Sequence, residues 1–290
     1  MSNPRPAALS ACEEAPSDYL VRLGQAGDGP HDLATAALML AALDHPDWKL
    51  DRFRNHLSEL AERVRAEADF ARDGDSAARA LSSVLAGHYG YEGERGDFDA
   101  PENADLMAVI DRKRGLPVSL GILYIHAARA GHMDAQGLLA PGHFLMRVAV
   151  KGSEAIIDPF NGGEVLDRER VTTPGLGAPL AVHEAGSSDS PDPFAPVSDI
   201  EVLLRLQNNI KNRALKSRDT ARAIEILRRM TMIAPRRSAA WLELGRLQES
   251  TGALSYARRA YETCLKLPRS SDHFSHEAAV ALHALKRRLN

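Results

Sequence analysis

The chain has 290 residues, room for two domains, and at 44% hydrophobic and 26% charged it has the make-up of an ordinary globular protein. Its 36 basic and 39 acidic residues leave a formal net charge of −3, so no global field draws it to nucleic acid or to an anionic membrane. No window approaches the roughly 18 consecutive apolar residues that a membrane span needs. The start, Met1 to Pro6 running into Glu13, Glu14 and Asp18, lacks the basic-then-apolar order of a secretion signal.

Residues 1–30 read as a disordered or loosely packed tail, and the elements begin at about residue 31. Leu33, Ala36, Ala37, Leu40 and Leu43 fall on one helix face, and Leu50, Phe53, Leu57, Leu60 and Val64 repeat at the same three-and-four spacing. Asp44-His45-Pro46-Asp47 separates these two helices, because the proline ring disfavours helical backbone at the residue before it. Gly74 precedes a third helix, Ser76 to His88, and Gly87, Gly90, Gly93 and Gly96 mark a turned connection. The next helix, about Val118 to Ala130, is interrupted only by Ser119, His126 and Arg129, which predicts burial on most sides. Pro117 suits its first turn and Gly131 its end.

The period then changes to two. Gln136 to Leu139, His143 to Val150 and Ala155 to Phe160 read as strands, with Lys151-Gly152 as a two-residue hairpin turn. Pairing Val150 with Ser153 sets Leu145 opposite Asp158, so His143 and Asp158 share a face as diagonal neighbours. A register slip of one residue would put them on opposite faces. Residues 172–197, with five prolines among Gly, Ser and Asp, read as a linker.

Beyond the linker the chain is helical with an internal repeat. Trp241 to Gly245, Ala257, Tyr261 and Pro268 match the tetratricopeptide pattern, and one period of roughly 34 residues earlier stand Ile210, Ala223, Leu227 and Pro235. A final helix, Asp272 to Leu289, follows. Two repeats are few for independent stability, so this part is expected to pack on what precedes it.

Arg114 to Leu120, Gly142-His143-Phe144 and Asp158-Pro159-Phe160 place a nucleophile-sized residue at a buried helix mouth, then a His and an Asp on successive strands. With Pro101-Glu102-Asn103, Leu106, Val109-Ile110, Pro141 and Asn161-Gly162-Gly163, these runs resemble the SirB family, which joins a transglutaminase-like core to tetratricopeptide repeats. The likeness spans about residues 31–268, and Arg-x-Gly-x-Pro-x-Ser and Asp-Pro-Phe-Asn-Gly-Gly are its specific runs. One departure is Ala104, where relatives commonly carry serine. The resemblance implies an α+β fold: a helical lead-in and papain-like core with an antiparallel sheet over residues 31–171, then an all-α tetratricopeptide array over 198–290.

By position, the resemblance sets Ser119 where active transglutaminase-like enzymes have cysteine, His143 where they have the base, and Asp158 where they have its orienting carboxylate. Serine is usual in this family. A thiol there is activated by the helix N-terminus and by an imidazolium, whereas a hydroxyl stays protonated and needs His143 as a true general base. A site shaped around sulfur sets the smaller oxygen short of its target, which is costly in rate.

Taken singly, Ser119 is an ordinary helix cap, His143 a satisfied core histidine and Asp158 a turn-initiating residue. The chain is therefore expected to be a regulatory or adaptor protein with a Ser-His-Asp pseudo-active site. A protein or peptide partner is expected in the core cleft and the repeat groove. The alternatives are a Ser-dependent amidase or peptidase using Ser119, His143 and Asp158, and a polar cluster that only stiffens the core.

No cofactor, metal site or nucleic-acid or membrane partner is expected. His45, His56, His88, His126 and His132 show no ligand spacing. Cys12 and Cys264 make no disulfide framework, and a cytoplasmic home is expected. Arg112-Lys113-Arg114 reads as a solvated run with a structural role for Arg114, and Cys264 as a packing residue. Substrate, partner identity and oligomeric state are not readable.

Overall fold

The computed structural model describes residues 14–138, 143–166, 195–268 and 272–289. Helices α1 (Pro16–Ala26), α2 (Leu33–Ala42), α3 (Leu50–Ala68), α4 (Gly74–Ser82), α5 (Leu106–Arg112) and α6 (Pro117–Ala130) lead into the main sheet. Side chains set several of these starts. Asp32 accepts from the Thr35 amide ahead of α2, Asp73 and Ser76 form a capping box on α4, and Asp105 accepts from the Ala108 amide ahead of α5. Pro117 takes the first position of α6, where its missing N–H removes no helix bond.

Two elements depart from their expected form. α2 is not one-faced: every residue from Leu33 to Ala42 except Thr35 is buried, because α1, α3, α5 and α6 pack around it. The helix expected to reach His88 ends at Ser82 and passes into a π-helical turn, Ser83–His88. Gly90 then reverses the chain at φ +73°.

The tail expected over residues 1–30 also needs correction. Residues 1–13 lie outside the described residues, but Pro16–Ala26 forms α1, with Leu20 and Leu23 buried. Tyr19, Leu20, Leu23 and Gly24 lie at the three-and-four spacing of one helix face, a signal the proline-rich start obscures.

The main sheet is antiparallel in the order β6-β5-β4-β3-β7. Its strands are β3 (Asp134–Leu138), β4 (Leu145–Val150), β5 (Ser153–Asp158), β6 (Glu164–Leu166) and β7 (Pro196–Val197), while β1 (Glu92–Gly93) and β2 (Arg114–Gly115) form a separate parallel pair. Val150 pairs with Ser153 as expected, across Lys151 and Gly152 at φ +52° and +83°, the left-handed pair of a primed hairpin turn. His143 lies in a bend before β4 rather than in the strand. Of the expected linker, residues 172–194 lie outside the described residues. Pro196–Val197 is not linker but the edge strand β7 beside β3, a place where proline's missing N–H faces no neighbour.

Helices α7 (Asp199–Lys216), α8 (Thr220–Ile233), α9 (Ser238–Ser250), α10 (Leu254–Lys266) and α11 (Asp272–Leu289) complete the chain as antiparallel neighbours. The repeat residues behave as their spacing predicts. Ala223, Leu227, Ala257 and Tyr261 are fully buried, and Gly245 lies so close to the Tyr261 ring that a Cβ there would overlap it. Cys264 is a buried packing residue of the α9–α11 cluster.

These helices do pack on what precedes them. One apolar cluster runs without a break from Leu20 of α1 to Ala260 of α10. Asp44, after α2, pairs with both Arg222 and Arg229 of α8. The α6 residue Arg129 grips Asp199 at the start of α7 with two bonds of 2.7 and 2.9 Å.

Candidate functional site

α6 runs through the molecule's interior, and its N-terminal turn meets the loop before β4. Asp158 ends β5 and is 3% exposed. Its Oδ1 accepts from the amides of Phe160 and Asn161, at 2.9 and 3.3 Å, which fixes the turn into Asn161-Gly162-Gly163. Its Oδ2 accepts from Asn161 Nδ2 at 2.6 Å and from His143 Nε2 at 2.9 Å. The carboxylate is thus both a turn initiator and an anchor for the imidazole. Burial works to raise the Asp158 pKa, but the hydrogen bond and charge of His143, with the Asn161 bonds, overcome it and hold the pKa below its usual value. Because Asp158 accepts at Nε2, the neutral imidazole leaves Nδ1 as its free lone pair. Phe160 packs edge-on against the His143 ring at 6.2 Å.

Ser119 does not join this pair. It is 0% exposed, in the first turn of α6, and its hydroxyl donates to the carbonyls of Asn103 at 2.7 Å and Leu116 at 3.0 Å. Among the described residues it has no hydrogen bond to His143. Nor is it the N-cap: that position is Leu116, and no side chain caps the helix. The expected oxygen-accepts-amide geometry is replaced by a hydroxyl donor that ties α6 to the short 3-10 turn Pro101–Ala104.

The surrounding motif residues serve the same tie. Asn103 is fully buried, donates through Nδ2 to the Asp97 and Phe98 carbonyls, and accepts from Arg112 at 2.9 Å. Arg112 also reaches Glu94, whose other oxygen accepts from the Gly96 and Asp97 amides. A Cβ on Gly115 would sit 2.8 Å from the Ser119 oxygen and 3.0 Å from Val109, so only glycine fits. Arg114 pairs with Glu92 across β1 and β2. Lys113, at φ +59°, reaches Tyr91 at 3.2 Å and His56 at 3.3 Å. Arg112 and Arg114 of the basic run stay exposed to solvent while making these pairs, and Lys113 is the half-buried member.

His143 faces a cavity of about 110 Å³. Leu116, Pro117, Val118 and Phe98 form one side, and the opposite side is a polar stripe of α7: Arg205, Asn208, Asn209, Asn212, Arg213 and Lys216. These positions recur at helical spacing, and a line of amides and cations in a leucine-rich helix was the signal available for them. The same helix also belongs to the repeat-rich half of the chain, where its apolar spacing masks the stripe. The Tyr124 hydroxyl is buried without a hydrogen bond among the described residues, and burial, with the charge of Asp158, raises its pKa.

Comparison with known proteins follows these halves. The transglutaminase-like superfamily profile matches residues 51–208, more than half of the chain. The chain belongs to the transglutaminase-like superfamily. A tetratricopeptide-repeat profile matches residues 210–290. A UPF0162 protein of Xylella fastidiosa is 28% identical over 239 residues, covering 81% of this chain and 83% of its own. Protein SirB1 of Salmonella typhimurium is 21% identical over 204 residues, covering 70% of this chain and 74% of its own. These relatives accord with the SirB family that the sequence motifs resemble. A crystal structure of menin aligns over 91% of this transglutaminase-like chain and 74% of its own, with a TM-score of 0.40 and 9% identity.

Proposed function

We propose that this transglutaminase-like protein is a regulatory or adaptor protein whose His143–Asp158 cleft binds a protein or peptide partner without acyl transfer. The tetratricopeptide helices 198–290 supply a second contact, as such repeats generally do. The observation that carries the reading is the fully buried Ser119 hydroxyl, with its proton held by two main-chain carbonyls. A serine nucleophile must present its oxygen to the substrate and its proton to a base. Exposing Ser119 would break both bonds and displace the wall formed by Pro117 and Val118. The cleft itself favours recognition. Its amide and guanidinium stripe can pair with main-chain carbonyls or carboxylates of a peptide, and the imidazole, oriented by Asp158, adds one directed contact.

The competing reading, a Ser-dependent amidase, draws on the intact His143–Asp158 pair. A fluorophosphonate probe separates the two. The adaptor reading expects no labelling of the purified chain, and labelling abolished by Ser119→Ala would establish the hydrolase instead. Capture of a partner by the wild-type chain, lost with Asn209→Ala and Asn212→Ala together, tests the binding role. Retention of that partner by the double variant would remove the α7 stripe from it.

A further inference from the structure

A second cavity, about 940 Å³ in volume, lies between α2 and α5 on one side and α7 and α8 on the other. Its floor is made of small and branched apolar residues, Ala37, Leu40, Ala104, Ala108, Leu206 and Ile210. The size is that of a small-molecule site, with an apolar floor inside a wall of polar and charged residues. Small side chains from both halves of the molecule leave this space open.

Its charged wall is already neutralised from within. Asp44 pairs with Arg222 and Arg229, and Asp105 accepts from His45 at 2.7 Å. Arg213 lies 3.5 Å from Asp99 and donates to the carbonyls of Asn209 and Phe98. Exposed Glu102 and Lys216 stand at the mouth, where water solvates them. Arg213 Nε makes no hydrogen bond among the described residues but faces the Asp99 carboxylate, which leaves one group with neither a hydrogen bond nor an ion pair. Gln207 is 1% exposed, lines the cavity, and its carboxamide oxygen has no hydrogen-bond partner among the described residues. A buried polar atom without a partner is costly, and most find one. Charged ligands would have to break existing ion pairs, whereas a neutral donor answers the one deficit.

We infer that this cavity binds a neutral, largely apolar small molecule whose single N–H donates to the Gln207 carboxamide oxygen. The site is separate from the His143 cleft, although Asp99, Arg213 and Lys216 line both.

N-Phenyl-1-naphthylamine, a neutral fluorescent diarylamine with one N–H, is a suitable probe for titration against the full chain. Saturable one-to-one binding is expected, about three- to tenfold weaker for Gln207→Leu, the change that losing one hydrogen bond brings. Ala108→Trp, which fills the floor, should abolish binding. The N-methylated probe, which has no donor, should bind wild type and Gln207→Leu equally, and this arm holds even where Ala108→Trp fails to fold. Equal affinity of the two probes for wild type, or undiminished binding to folded Ala108→Trp, would overturn the assignment.

Discussion

Ser119 and His56 show how a polar side chain inside this chain is given one fixed duty. The Asn103 and Leu116 carbonyls that accept from Ser119 also accept from the backbone amides of Leu116 and Leu120, both at 3.0 Å. Ser119→Ala therefore leaves neither carbonyl bare, and the loss is one net hydrogen bond, about 1 kcal/mol in urea unfolding. A loss of 3 kcal/mol or more, on the order of breaking a buried network, would mean the tie carries more than that bond. His56 is held by burial and by the neighbouring Lys113 charge, against the opposing charge of Asp111, so its pKa falls from 6.5 to about 4. The sign follows directly: the unfolded imidazole takes a proton more readily than the folded one, so stability is full above pH 6.5 and drains as pH falls toward 4. Over that window wild type should lose more stability than His56→Gln, as read from urea midpoints at each pH. Equal slopes would mean that folding does not lower the His56 pKa.

At the scale of elements, Gly245→Ala is the most direct test of repeat packing. Its Cβ would overlap the Tyr261 ring, whose hydroxyl is fixed by Glu249 at 2.9 Å. The ring cannot swing away freely, so an overpacking loss of about 1–3 kcal/mol is expected by thermal or urea unfolding. An unchanged melting temperature would show that α9 and α10 can separate without penalty. The sequence carried this helix pairing well because Gly245, Ala257 and Tyr261 recur at fixed spacing and report a local contact. The hairpin was equally readable, since Lys151-Gly152 and period-two alternation leave one register, whereas His143 makes its bond to Asp158 from the bend ahead of β4. Three of the features that escaped share a cause. α2 is buried all round because helices distant in sequence enclose it. The π-helical turn at Ser83–His88 has no compositional mark. The direction of the Ser119 bond depends on Asn103, sixteen residues away on a different element. Patterns of period and spacing see neighbours along a helix or across a hairpin, and these features are set by neither.

The whole molecule is held by charges at the seam as well as by a shared core. Arg229 is 3% exposed and meets Asp44, Glu225 and the Leu40 carbonyl. Asp44→Ala would leave its guanidinium buried with one remaining carboxylate, Glu225, which it would share with Arg222. A destabilisation of about 3 kcal/mol is expected, the lower end of the range for breaking a buried pair. Chemical denaturation should show it as a single lowered transition; two separated transitions would mean that the halves unfold independently.

Helix α1 closes the molecule from the opposite direction. It lies against the end of α8 so tightly that a Cβ on Gly24 would overlap the Met232 carbonyl, and Leu20 and Leu23 are covered there. On the ribosome this contact forms late. A chain emerging at about 5–20 residues per second makes α1 well ahead of α8 and waits on the order of ten seconds or more for Met232. Through that interval α1 has α2 beside it but lacks the end of α8, the other surface that covers Leu20 and Leu23. Docking of α1 is then a long-range step, the return of an early helix to a surface that did not exist when it was made.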